Sequence, residues 1–498
     1  MQRRVPLVIV LAICLCGFQA AKAPVLTPEI RSALEGIRAD AMKADLSFIA
    51  SDLLEGRNTP SRGLDLAAEY IAAQFRRAGL EPGGDDGYFQ TARMAVVQPD
   101  FTGFELDLTQ GGRSLSVRAE DAVLNTSAAV DMQSADVFKV NLTDSSLAES
   151  LTPRDMDGKV VLLELRRETI RNFRLLARKL SDAKPVAILI LDGRAGPVGS
   201  AGQERLVDPE KQSSAGPPRI TLSAKSAASF YAALKPGTGS ATATIHIAAP
   251  RLTPVRLHNV IGILRGSDPA LQDTCELLTA HYDHIGERQA GKGDRIYNGA
   301  NDDGSGTVSV IEIARALSKL QPRPRRSILF IAFFGEEEGM LGSRYYARHP
   351  VWPLKKTIAH LNLEQVGRTD DSEGPQVESA SLTGFDYSDV TQVLQAAGKL
   401  TGIRIYKHPR NSDLYYASGD NIALAEVGVV AHTLAVSFEF PDYHGVGDEW
   451  QKIDYDNMAK VDRTVALSLI LLASDDQPPH WNEKNPRAGA FAKARNAQ

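Results

Sequence analysis

Apolar positions along this chain recur with a helical period in some stretches and a strand period in others. From Asp45 to Gly79 the spacing is helical around a loop, SDLLEGRNTPSRG, and LDLAAEYIAAQFRRAGL carries an apolar face with Gly79 as its stop. FELDLTQGGRSLSVRA alternates and predicts a hairpin around Gly111 and Gly112. Between about Ala128 and Pro250, ADVFKV, GKVVLLEL, PVAILIL and ATIHIAA are short strands, with the helical FRLLARKLSD between two of them. After Pro250 the strands HNVIGILRG, CELLTAHYDH, RSILFIAFF and TIAHLNLEQVG alternate with an amphipathic helix, GTVSVIEIARALSKL, and another from Glu338 to Arg348. Such alternation predicts an α/β fold whose mixed, largely parallel, twisted sheet lies between helices, with ligands gathered at the carboxyl ends of strands.

Composition adds boundaries. MQRR, the apolar VPLVIVLAICLCGF and then QAAKA form a secretory signal peptide with cleavage expected after Ala23, so the product is expected to be exported, periplasmic or extracellular. The expected organisation is residues 1–23 as signal and 24–127 as the first part of the catalytic domain. An inserted smaller α/β module follows at 128–250, the main catalytic domain at 251–476, and a mobile Pro/Gly/Ala-rich tail at 477–498. A net charge of -5 gives no electrostatic case for nucleic acid or an anionic membrane. Cys14 and Cys16 lie in the signal, leaving Cys275 alone in the mature chain, where no internal disulfide can form; it reads as a small buried apolar residue.

Five polar clusters punctuate the later half: AHYDH (280–284), GANDDGSG (299–306), GEEEG (335–339), LNLEQVG (361–367) and FPDYHGVGDEW (440–450). They supply imidazoles and carboxylates without thiols or a serine elbow, a donor set suited to zinc or a similar divalent metal. His281, Asp302, Glu337, Glu364 and His444 are the candidate ligands. Three carboxylates and a bridging hydroxide balance two divalent ions, whereas one ion leaves the set net negative, a costly state away from water.

This order of motifs resembles the co-catalytic di-zinc exopeptidases of the bacterial leucyl aminopeptidase type, a fold shared by glutamate carboxypeptidase and glutaminyl cyclase. The resemblance runs from about Asp45 to Leu472 and likens the insert to a protease-associated domain. It implies two zinc ions per chain, bridged by Asp302 and completed by His281, Glu337, Glu364 and His444. It implies that Asp283 orients His281, that Glu336 is the general base, and that Tyr443 donates to a developing oxyanion. Asp303 is expected to be structural, and Glu338 to start a helix. SDLLEGR and the helix after it match a segment expected to cover the sheet, with no part in the chemistry.

The activity so implied is that of a secreted aminopeptidase acting on peptides, with Glu336 taking a proton from a metal-held water and passing it to the leaving amine. A carboxypeptidase, a one-zinc glutaminyl cyclase and a non-catalytic binding relative remain alternatives. A carboxypeptidase would need basic residues for a substrate carboxylate, for which Arg368 and Arg410 are the candidates. Asp413, Tyr415, Asp420 and Asn421 either line a substrate pocket or serve loop hydrogen bonding. His258, His284, His360, His408 and His432 read as structural.

Overall fold

A computed structural model describes residues 26–144, 146, 150–192, 204–210, 216–288 and 292–497; the expected signal peptide lies outside them. One ten-stranded sheet runs in the order Arg404–Tyr406, Ser379–Leu382, Val430–Ala435, Thr357–Leu363, Cys275–His281, Ser327–Phe333, Arg251–Leu264, Phe89–Gln98 and Arg205–Val207. Glu81–Pro82 pairs beside Arg251–Leu264.

The four strands from Val430–Ala435 to Ser327–Phe333 are mutually parallel. Pairing turns antiparallel on both flanks, at Arg251–Leu264 and at Ser379–Leu382. The sheet is therefore mixed, as expected, but parallel only at its centre and in the edge pair Ser379–Leu382 with Arg404–Tyr406, a correction to the largely parallel one expected. Apolar periodicity reports burial, and the direction of a strand is not written in it. Every residue of those four central strands is buried, as near-continuous apolar runs require.

Helices cover the sheet in two groups. Ala39–Ile49, Arg62–Arg77, Gly306–Leu317 and Tyr455–Ser474 pack on one another, and Leu341–Arg348 packs on Asn421–Ala425. Gly306–Leu317 is buried at every position except Arg315, so it is a core helix and not an amphipathic cover. None of the described helices is long and apolar enough to cross a membrane.

A second sheet has eight strands in the order Arg113–Ser116, Glu105–Gln110, Gly237–Ile247, Val130–Val140, Val160–Leu165, Ala187–Asp192, Arg219–Ser223 and Ala122–Asn125, with a core of its own. The hairpin at Gly111 and Gly112 belongs to it, so the boundary expected at 128 falls inside this sheet. The alternating pattern of residues 105–125 fits either sheet equally well, and only pairing decides. The insert returns to the first sheet through Arg205–Val207, beside which Asp208 pairs with Arg348 and Glu210 with His349.

Two further expectations are corrected. The 477–498 segment is docked through Trp481, 7% exposed, whose ring stands 5.3 Å from Phe491 and 6.0 Å from His432. Polar composition concealed these two aromatic anchors. The helix after GEEEG begins at Leu341, because Gly339 and Met340 adopt positive φ and turn the chain first, leaving Glu338 exposed in that turn.

Candidate metal centre

The four parallel strands point the same way, so the residues following their carboxyl ends converge at one edge. Cys275–His281 delivers His281 and then Asp283, Ser327–Phe333 delivers Glu336 and Glu337, and Thr357–Leu363 delivers Glu364. Asp302 comes from the turn Ala300–Ser305 leading into helix Gly306–Leu317, and His444 from the loop beyond Val430–Ala435.

Asp302 stands between two imidazoles. Its Oδ1 is 3.4 Å from His281 Nε2 and its Oδ2 is 3.2 Å from His444 Nε2, which is also 3.4 Å from Glu337 Oε2. Zinc bonds of about 2.0–2.2 Å at tetrahedral angles set neighbouring donors roughly 3.3–3.5 Å apart. The spacing from His444 to Asp302 and Glu337, and between Asp302 and His281, is thus close to that of donors sharing an ion. Donor chemistry and spacing both fit zinc, and each carboxylate oxygen of Asp302 faces a different imidazole.

Backbone hydrogen bonds hold the ligand turns. Asp283 accepts the N–H groups of Glu336 at 3.1 Å and Glu337 at 3.3 Å, and its carbonyl lies 3.2 Å from His281 Nδ1. One residue therefore faces the imidazole with its backbone carbonyl and fixes the Glu336–Glu337 turn with its carboxylate. Asp303 accepts the N–H groups of Gly306 and Gln365, in keeping with its expected structural role. Glu364 Oε1 accepts from Asn362 Nδ2 at 2.8 Å.

Charge is concentrated here. Burial pushes Asp302 up, but contacts with His281 and His444 outweigh it and hold its carboxyl well below the usual range. Burial, aided by Glu364, Asp420 and Glu337, drives Glu336 well above the usual range, with His281 opposing. Burial raises Glu364 to about 8, and contacts with Asp302 and Glu337 raise His444 to about 10. Divalent ions among these donors would take the place of those protons. The Tyr443 ring, 47% exposed, stacks on His444 at 4.1 Å, and partial desolvation followed by the carboxylates of Asp302, Glu337, Glu336 and Glu364 pushes its phenol above the usual value.

Three residues of the site escaped the sequence reading. His284, read as structural, is buried with Nδ1 2.9 Å from Glu337 Oε1, and ligand atoms of His284, Asp302 and Glu337 lie within 4.8 Å of one another. Asp448 is fully buried and accepts the N–H groups of Asn301 and Asp302 at 3.0 Å. Asn301 Oδ1 accepts those of Gly367 and Arg368. Each lies inside a cluster already singled out, and position beside a ligand was the available signal.

Of the remaining candidates, Asp420 lies close enough to help raise Glu336 and Glu364, and the others are partnered elsewhere. Asp420 accepts from Ser343, Asn421 bonds Tyr416 and Thr433, and Tyr415 donates to Glu439. Asp413 meets Lys407 and Arg487. His360 and His432 are buried against the hydroxyls of Thr279 and Ser388, His258 lies beside Thr91, and His408 beside Glu373. Cys275 is free and buried, its thiol pushed up to about 12 by burial.

Residues 259–469 match peptidase family M28. That stretch, less than half of the chain, is similar to M28 peptidases. Over 123 residues the chain is 41% identical to a probable zinc metalloprotease of Leptosphaeria maculans, covering 24% of this chain and 27% of that protein. Over 151 residues it is 34% identical to aminopeptidase YwaD of Bacillus subtilis, covering 27% of this chain and 30% of that one. The chain thus matches less than a third of the length of either relative. Its fold is similar to that of an aminopeptidase from Aneurinibacillus sp. strain AM-1, with a TM-score of 0.56 and 20% identity over 88% of this chain and 95% of that one. All five candidate ligands and Glu336 fall inside the matched residues 259–469, whereas the second sheet lies wholly before them.

Proposed function

We propose that the chain is an exported zinc aminopeptidase that removes N-terminal residues from peptides. The carrying observation is Asp302, whose two carboxylate oxygens each face a different histidine at 3.2–3.4 Å. His281, Asp302 and Glu364 would hold one zinc, and Asp302, Glu337 and His444 the other. Bound there, zinc would supply Lewis acidity and lower the pKa of water.

The chain's own residues do the rest. Glu336, fixed through its backbone by Asp283, accepts the proton of the attacking water and delivers it to the leaving amine. His281 keeps Nε2 free because Nδ1 faces the Asp283 carbonyl. Tyr443, kept protonated, donates to the oxyanion as the carbonyl becomes tetrahedral.

Pairing of the available cations favours an aminopeptidase over a carboxypeptidase. Arg368 is 4% exposed and spans Asp370 and Asp442, and Arg410 meets Glu373 and Glu439, so neither is left to clamp a substrate carboxylate. A one-zinc cyclase would have no use for His281. The second sheet is read as a protease-associated domain that screens long peptides.

Elemental analysis of the purified protein, joined to hydrolysis of aminoacyl substrates with free and blocked amines, tests the proposal. Two zinc ions per chain and a strong preference for the free amine are expected. Full activity at one ion would sink the two-zinc reading, and faster cleavage of blocked substrates would sink the aminopeptidase reading.

A further inference from the structure

Arg57 lies far ahead of the matched residues 259–469 in sequence, yet its side chain is 0% exposed beneath the metal centre. Its guanidinium donates to four carbonyls: Nε to Tyr282 at 2.8 Å, Nη1 to Ile49 at 2.6 Å and Asn298 at 2.7 Å, and Nη2 to Gly299 at 2.9 Å. Tyr282 separates His281 from Asp283, and Gly299 opens the turn that presents Asp302. One planar fork thus joins the two turns that carry opposite sides of the centre.

A segment that merely covers a sheet would place an apolar side chain here. Burying a cation with no carboxylate among its hydrogen-bond partners is costly. The charge is nonetheless retained: burial lowers the guanidinium to about 10, still above neutrality, and Asp283, Asp448, Asp302 and Asp303 all act to raise it.

The backbone supplies independent support. Glu55 and Arg57 adopt φ of 52° and 50°, conformations that side chains of this kind avoid. Gly56 is wedged so tightly that a Cβ there would stand 2.4 Å from the Gly286 carbonyl oxygen and 2.6 Å from that of Tyr297. Gly286 and His284 in turn donate backbone N–H groups to the carbonyls of Gly56 and Arg57. The loop is strained, glycine-dependent and threaded through the ligand turns, a combination that surroundings maintain where geometry matters.

We propose that Arg57 is a positioning residue of the metal centre, tying the His281–Asp283 turn to the Asp302 turn and placing a fixed positive charge behind their carboxylates. This rests on the zinc reading above, and the metal content of the wild-type protein tests that reading separately. The matched residues 259–469 then depend on a residue from the segment preceding the second sheet.

The test compares wild type, Arg57→Lys and Arg57→Gly by kcat and KM, melting temperature, and the rate at which a chelator removes zinc from the loaded protein. Arg57→Lys keeps the charge but loses the fork. It should lose about tenfold or more in kcat with KM little changed, and release zinc about tenfold faster or more. Arg57→Gly should do the same, and millimolar guanidinium, unlike sodium, should restore kcat and slow zinc release. Wild-type kcat and zinc release in Arg57→Lys would overturn the proposal. So would an Arg57→Gly protein with slowed turnover, unchanged zinc release and no response to guanidinium. If Arg57→Gly yields no folded protein, the Arg57→Lys comparison decides alone.

Discussion

Gly419 lies against the carboxylate of Glu364, so closely that a Cβ at position 419 would stand 2.4 Å from Oε1 and 3.1 Å from Oε2. Asn362 holds the same Oε1 through its amide at 2.8 Å. The carboxylate is placed by an amide on one side and by the bareness of a glycine on another. Gly419→Ala should therefore push a flexible carboxylate aside at little cost in stability while displacing a proposed metal ligand. Zinc affinity should fall on the order of 10–100-fold, with the melting temperature of the zinc-free protein nearly unchanged. Zinc competition against a chromogenic chelator reads this directly, and wild-type affinity in the alanine variant would refute the contact.

Asp462 is fully buried on helix Tyr455–Ser474, and burial pushes its carboxyl up to about 8, with Glu312 adding and Ser309 and Arg463 opposing. The sign follows from proton binding. Below about pH 4 the group is protonated in folded and unfolded chains alike, and it costs nothing. Above that the unfolded chain releases its proton first, so stability falls with rising pH until the folded value near 8 is passed. Asp462→Asn should stabilise the protein at pH 7 by on the order of 2–4 kcal/mol and leave it unchanged at pH 4. Denaturant unfolding at the two pH values checks it; an equal gain at both would show that ionisation is not the cause.

Trp481 fills a site beside His432 and Phe491 and donates from Nε1 to the Gly428 carbonyl at 3.1 Å. Trp481→Ala should cost about 3–5 kcal/mol, the usual price of a buried aromatic. Turnover of the folded protein should stay near wild type, because the residue touches no ligand. Equilibrium unfolding beside kinetics tests this, and a loss below about 1 kcal/mol would mean that the segment is not docked in solution.

Trp481 also shows where reading the chain fell short. The central strands were legible because their apolar runs are long, continuous and bounded by turn residues, and their polar ends named the ligand candidates. Strand direction was not legible: Arg251–Leu264 has the same apolar pattern whichever way it pairs. Nor were side chains whose meaning is set by distant partners. Arg57 sits among ordinary loop residues in SDLLEGR, and nothing local says that its fork reaches Tyr282, Asn298 and Gly299. His284 adjoins Asp283, but its closeness to Glu337 depends on how two strand ends approach each other. Local patterns carry burial and turns, whereas tertiary pairing decides which polar groups meet.

The three consecutive glutamates separate by environment, and substitution should separate them by effect. Glu336 is driven to a raised carboxyl by burial, Glu337 faces His284 and His444, and Glu338 is exposed in the turn before Leu341. Glu336→Gln keeps size and hydrogen-bonding capacity but cannot take a proton from water. Turnover should fall by on the order of 10²–10⁴-fold with zinc content unchanged. Glu337→Gln removes a charged donor next to Asp302 and His444, so zinc occupancy and activity should fall together, and added zinc should recover part of both. Glu338→Gln should shift stability by no more than about 0.5 kcal/mol and leave both readouts alone. Zinc analysis beside steady-state kinetics on the three proteins distinguishes base, ligand and bystander. A Glu336→Gln enzyme that turns over near the wild-type rate, or one that has lost its zinc, would remove Glu336 from the role of base.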